Sequence, residues 1–173
     1  GIDAGIAFIT EDRQRLSLML QHSVLENTLI TAYRKKIKNF FISLKKLIPS
    51  VAPLLKALKV KTPSIWTNAV YLSGGNQQKV VISKWLAVNP KIIILDEPTS
   101  GLDKHSMDLV SKSILTEAKA GRLIFVISHD YEFLLSVCNR IIYLKSGMVH
   151  ADFNLNNDTK KMLWELLSKK EEM

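Results

Sequence analysis

A doubly wound α/β sheet is the fold class this sequence predicts, and three observations carry the prediction. Ile92-Ile93-Ile94-Leu95 is an apolar run without alternation, with three of its four residues β-branched. That pattern suits a strand buried on both faces of a parallel sheet. Leu123-Ile124-Phe125-Val126-Ile127 repeats it. Between the two, Met107, Leu109, Val110, Ile114 and Leu115 recur at helical spacing, and strand–helix–strand order is the signature of parallel pairing.

Taken in order, Ile6 to Ile9 reads as a short strand opening into the polar loop Glu11-Asp12-Arg13-Gln14-Arg15. Ser23 followed by Glu26 is a capping box that starts a helix near Val24. From Thr31 to Leu58 the periodicity is helical, with Ile37, Phe40, Phe41 and Leu44 on one face. Pro49 and Pro53 are expected to break that run into two helices. Lys61-Thr62-Pro63-Ser64 reads as a linker. A helix follows through Val80, Val81, Trp85 and Leu86, with Ser73 as its cap. Gly121 closes the helix after Asp103. Tyr131 to Val137 is expected to be helical, Ile141 to Leu144 a further strand of the sheet, and Lys145-Ser146-Gly147 a turn into Met148 to Phe153. Asp158 to Glu172 reads as an amphipathic helix carrying Met162, Leu163, Leu166 and Leu167, with Trp164 beside them.

Composition narrows the class. The 173 residues suit one domain, or one plus a small subdomain. No apolar run is long enough to span a bilayer, and Gly1 to Thr10 lacks the pattern of a signal peptide. One cysteine, Cys138, excludes an intramolecular disulfide and reads as core packing. The net charge of +8 is uneven: no acidic residue lies between Glu26 and Asp96, while Arg34, Lys35, Lys36, Lys38, Lys45, Lys46, Lys56, Lys59 and Lys61 crowd the first half of that gap. Such a field attracts phosphate, anionic headgroups or nucleic acid, or it is simply a solvated helical face. No stacking aromatics alternate with the basic residues, which weakens the nucleic-acid reading.

Three constellations carry chemistry. The run at Ile92 ends in Asp96-Glu97, at the strand end where ligands sit in open α/β sheets. A buried strand delivering Asp-Glu to a sheet edge is a Walker B arrangement, with Asp96 holding Mg²⁺ and Glu97 polarising a water; the bland alternative is a core strand with solvated acids at its tip. Leu72-Ser73-Gly74-Gly75-Asn76-Gln77-Gln78-Lys79 places two glycines before a helix N-terminus, a phosphate-binding surface, though Ser-Gly-Gly is also a common loop. His129 closes the run at Leu123 and either reaches a phosphate or the attacking water, or is a surface residue.

Together these residues resemble the ATP-binding subunits of ABC transporters. Leu72 to Gln78 is similar to the ABC signature in the Asn-Gln-Gln variant of simple-sugar importers, Ile92 to Glu97 to Walker B, and Ser100-Gly101-Leu102-Asp103 to the D-loop. His129 falls at the family's switch histidine, although the second ATPase halves of sugar importers often have serine there. Ala4 to Arg13 resembles the Q-loop region of such a second half, with Glu11-Asp12-Arg13 replacing the usual glutamine and Ser23-Val24-Leu25-Glu26-Asn27 following. Ser17 stands where those importers usually have glycine, and Asn139 where they have aspartate.

The resemblance implies a P-loop NTPase-like parallel sheet, present in part, with an inserted helical subdomain: residues 1–23 and 91–153 as the α/β core, about 24–90 as the helical and signature subdomain, and 154–173 as a C-terminal helical tail. It implies ATP and Mg²⁺ as cofactors. Glu97 would be the general base, His129 the γ-phosphate contact and Asp96 the metal ligand. Ser73, Gly74, Gly75, Gln77, Asp103 and Glu11 would serve nucleotide binding. The implied partners are a second ATP-binding domain, a transmembrane permease and, indirectly, a solute-binding protein, at the cytoplasmic face of the membrane, with no direct nucleic acid. The implied role is ATP hydrolysis that powers import of a sugar or nucleoside.

None of the seven glycines supplies the Gly-x-x-x-x-Gly-Lys-Ser/Thr of a phosphate-binding P-loop. In the family that loop precedes the Q-loop, so the chain is expected to be the C-terminal part of an ATPase domain. Two alternatives remain at this level: a nonhydrolytic half that completes a partner's nucleotide site in trans, and a soluble ABC-type ATPase acting on nucleic acid. The exposed sheet edge and apolar surface of a partial domain predict self-association.

Overall fold

The computed structural model describes residues 1–36, 44–156 and 159, with the side chains of 33–36 and 44–46 outside the description. The chain divides into two compact units, Gly1–Ser128 and His129–Met173.

In the first unit, β1 (Ile6–Ile9), β2 (Ile92–Asp96) and β3 (Leu123–Ile127) form a parallel sheet in the order β1-β2-β3. Ile6 stands beside Ile92 and Ile92 beside Leu123, so Phe8, Ile94 and Phe125 form one row across it. Burial alternates along every strand. Ala7, Ile9, Ile93 and Leu95 are buried, and Ile9, Ile93, Leu95 and Ile124 line a small cavity with Ile82, Leu86 and Ile114 of the helices that cover this face. On the opposite face Phe8 is 44% exposed, Leu123 53%, Phe125 50% and Ile127 55%. The two-faced burial expected of these runs is therefore not what the structure shows. The sequence is apolar on both sides, and the described residues cover one.

The segment between β1 and β2 is helical. The capping box closes as expected: the Glu26 amide donates to Ser23 Oγ at 3.2 Å, and Glu26 Oε2 accepts from the Ser23 amide at 2.8 Å and hydroxyl at 2.6 Å. It opens α1 (Val24–Lys36). Behind it Asn27 is fully buried and fully used, its Oδ1 accepting from the Met19 amide and its Nδ2 reaching the carbonyls of Met19, His22 and Ser23. Leu25 and Leu29 pack with Val51 of α2 (Leu44–Ala57).

Pro49 and Pro53 lie inside α2 and do not break it, contrary to expectation. Both are exposed and sit one helical turn apart, on the side of the helix away from the buried Val51 and Leu55. The expected apolar face at Ile37, Phe40, Phe41 and Leu44 falls outside the described side chains. So do Arg34, Lys35, Lys36, Lys38, Lys45 and Lys46, and the tail helix apart from Thr159.

Two further helices complete the unit: α3 (Gly74–Leu86) and α4 (Lys104–Lys119). Gly121 follows α4 with φ +84°, the left-handed stop expected of it.

The second unit holds α5 (Tyr131–Val137), β4 (Arg140–Lys145) and β5 (Met148–Asn154). Here β4 pairs antiparallel with β5 and not with the parallel sheet, which corrects its expected place. Ser146 (φ +51°) and Gly147 (φ +75°) form a two-residue left-handed turn, the connection that sends a strand straight back on its neighbour. Arg140 grips Asp152 across the hairpin through Nε at 2.8 Å and Nη2 at 2.6 Å. Cys138 ends α5 half-buried, and burial pushes its thiol pKa up.

Candidate functional site

Asp96 is the last residue of β2, half-buried, with Ile127 as its register partner. At Glu97 the backbone enters the left-handed region at φ +44°, a conformation that costs free energy in a non-glycine residue and persists where the surroundings fix it. They do so here: the Glu97 amide donates to Ile127 O at 2.9 Å, and its Oε2 accepts from Ser128 Oγ at 3.0 Å. The kink turns the carboxylate off the strand axis and holds it beside the end of β3. Ser128 was not among the sequence candidates, because its distance from Glu97 along the chain gives no local signal.

Beyond Pro98 the chain tightens. Ser100 N donates to Glu97 O at 3.2 Å, Leu102 N donates to Thr99 O at 3.0 Å, and Gly101 has φ +69°. Asp103 caps α4, accepting from the Ser106 amide at 2.7 Å. That bond, with Lys79 nearby, holds its carboxyl below its ordinary pKa. Lys79 is 4% exposed, and burial lowers its pKa despite the opposing pull of Asp103.

Ser73 occupies the N-cap position of α3, but its hydroxyl accepts from Asn76 Nδ2 at 2.9 Å and makes no cap bond to the backbone. A Cβ on Gly75 would meet Leu102 Cδ2 at 3.5 Å and Ser106 Oγ at 3.8 Å, so the first turn of α3 lies against the start of α4. Gly75 is thus brought beside the Asp103 turn, with Gly74 and Ser73 preceding it in the chain. Gln77 is buried and already engaged: it donates to Ala69 O at 3.1 Å and accepts from Gln14 Nε2 at 3.0 Å. Glu11 is exposed on an open cleft of about 410 Å³ that it shares with Asp12, Arg13, Gln14 and Ser100. His129 is exposed and begins the second unit, two positions past β3.

Chemically, the first unit offers a fixed carboxylate at a strand end and a glycine-led helix N-terminus beside a capped aspartate. Among the described residues no cluster of three or more His, Cys, Asp or Glu side chains forms a metal cage. Asp96 and Glu97 at one strand end suit a hard cation that keeps most of its ligands from water and phosphate, as Mg²⁺ does.

A family profile for ABC transporters matches residues 3–100. The L-arabinose transport ATP-binding protein AraG of Geobacillus stearothermophilus is 34% identical over 165 residues, covering 95% of this chain and 32% of that protein. The xylose import ATP-binding protein XylG of Thermoanaerobacter pseudethanolicus is 35% identical over 164 residues, with 94% and 32% covered. The chain therefore spans about a third of the length of these curated relatives. A dimeric ATP-binding cassette in a post-hydrolysis state with ADP and Pi superposes with TM-score 0.72 at 29% identity, covering 88% of this chain and 63% of that one. A nucleotide-free cassette from an ABC transporter gives 0.73 at 22% identity, with 94% and 66% covered, and bears on the fold alone. The expected α/β cassette fold is borne out.

Proposed function

Since the chain belongs to the ABC transporter family, we propose that it forms the signature- and Walker B-bearing part of an ATPase domain that powers sugar import. The curated relatives' names support the transport role. The observation that carries the catalytic reading is Glu97: the residue after Asp96 stands in a left-handed conformation with its carboxylate held by Ser128. A general base needs that fixed aim toward a water.

The roles follow residue by residue. Asp96 would hold Mg²⁺, which when bound neutralises charge on the phosphates. Glu97 would take a proton from the attacking water, and His129 would stabilise the γ-phosphate. Ser73, Gly74 and Gly75 would present the α3 N-terminus to a γ-phosphate on a second ATP-binding domain. Asp103 would face the same interface and Glu11 the nucleotide-side loop. Gln77 would act from within, by bracing α3. Residues 24–90 would form the helical subdomain inserted in the α/β core. The partners are a permease and, through it, a solute-binding protein, with the chain peripheral on the cytoplasmic face; among the described residues no helix is long and apolar enough to cross a membrane. The names of the curated relatives favour transport over a nucleic-acid role.

Titrating Mg-ATP calorimetrically into the chain, beside Glu97→Gln, tests the reading. The 173 residues alone should bind no nucleotide up to millimolar concentration. Joined to a segment bearing Gly-x-x-x-x-Gly-Lys-Ser/Thr, they should hydrolyse ATP, and Glu97→Gln should cut that rate at least a hundredfold. Hydrolysis indifferent to Glu97→Gln would sink the assignment.

A further inference from the structure

We infer that Arg13 is a positioning residue that pins the first turn of α3 to the turn Thr99–Asp103, so that the two surfaces shift together or not at all. Its Nη1 donates to the Ser100 carbonyl at 3.2 Å, across 87 positions of sequence. Its Nη2 occupies the space beside Gly74, 2.8 Å from where a Cβ there would stand and 3.5 Å from the corresponding point on Gly101. The guanidinium therefore fills a slot walled by two glycines, one on each element. Gln14, next in sequence, ties the same loop to α3 through Gln77 at 3.0 Å.

The bond to Ser100 is charge-assisted, which makes it stronger than a neutral one, and Arg13 Nε is buried with no partner among the described residues. A planar fork with one nitrogen on a carbonyl and the other against a glycine is not reproduced by lysine. With the guanidinium in this slot, a side chain at Gly74 has room only if Nη2 moves aside. Its neighbour Gly75 instead packs on Leu102 and Ser106.

The functional weight of the pin rests on the reading above, in which α3 and the Asp103 turn both face nucleotide; the pin itself does not. A double-mutant cycle on the full chain tests it by urea denaturation. Gly74→Ala should lower the midpoint in the parent, because the new methyl expels Nη2. In the Arg13→Ala background the same change should leave the midpoint unchanged or raise it, since an empty slot accepts the methyl and alanine favours helix. Equal shifts in both backgrounds overturn the pin.

Amide hydrogen exchange supplies a second readout that a generally loosened fold would not mimic. In Arg13→Ala the amides of Gln77, Leu102 and Ser106 should exchange on the order of tenfold faster, as expected for loss of a hydrogen bond to a charged group. The interior amides of α1 should keep their rates, and Arg13→Lys should fall between parent and Arg13→Ala. Acceleration at α3 without acceleration at Leu102 and Ser106, or the reverse, overturns the coupling. Both readouts are taken without nucleotide, so the pin can stand while the ATPase reading fails, and the reverse.

Discussion

Ser23 and Glu26 show how much a single cap decides at the residue scale. Glu26 is held below its ordinary pKa of 4.5, first by the Ser23 hydroxyl and then by the Ser23 amide. A carboxylate whose folded value is depressed stabilises the fold fully above its unfolded value, and that stability is lost as the pH falls through the folded value. The melting temperature should therefore drop below pH 4.5 more steeply in the parent than in Glu26→Gln; parallel curves would refute the cap's electrostatic share. Ser23→Ala should cost about 1 kcal/mol at neutral pH, measured by denaturant unfolding. This cap was legible because its partners are three positions apart. Asp96 and Glu97 were legible for the same reason, as neighbours ending an apolar run. The guanidinium slot of Arg13 and the hydroxyl of Ser128 on Glu97 were not, because each joins residues that only the fold brings together. Gln77 is singled out through the resemblance of Leu72 to Gln78 to the ABC signature, and the fold adds partners no local signal announces: the Ala69 carbonyl and Gln14 take up its amide.

At the scale of elements, start and stop signals were read well and interior signals less so. The strand Ile6–Ile9 and the helix Tyr131–Val137 fall where periodicity and flanking polar residues put them. The prolines of α2 misled because each removes one donor and crowds one carbonyl, on the exposed side of a helix that Val51 and Leu55 hold by its buried side. That tolerance still carries a cost. Pro53→Ala restores an N–H four residues after Pro49, and should raise stability by about 2 kcal/mol, the helix gain less the entropy returned to the unfolded chain. Urea unfolding checks it, and a lower midpoint would mean that the proline ring itself packs. The pairing of β4 has an equally local cause. Its apolar residues Ile141, Ile142 and Leu144 look like a sheet strand, and the two-residue connection Ser146-Gly147 sends the chain back beside it as the antiparallel partner β5.

At the largest scale, the decisive feature is the face of the parallel sheet on which Phe8, Leu123, Phe125 and Ile127 are exposed among the described residues. Phe8, Ile94 and Phe125 form an apolar row with Leu123 and Ile127 around it, and parallel sheets are normally covered on both faces. Sedimentation should show association that grows with concentration, and Phe125→Glu should suppress it; a parent that stays monomeric at high concentration would count against this face as the cause. The uninterrupted apolar runs did announce a sheet meant for two covers, which the sequence of one strand could not place. The same sheet also sets an order of assembly. Ile6 must find Ile92, 86 positions on, whereas Ile92 meets Leu123 only 31 positions on. Closing the longer loop costs roughly 0.9 kcal/mol more chain entropy, so β2, α4 and β3 can gather first. By the same count β1 is the strand whose pairing closes the longer loop, and it brings with it the segment on which Arg13 rides.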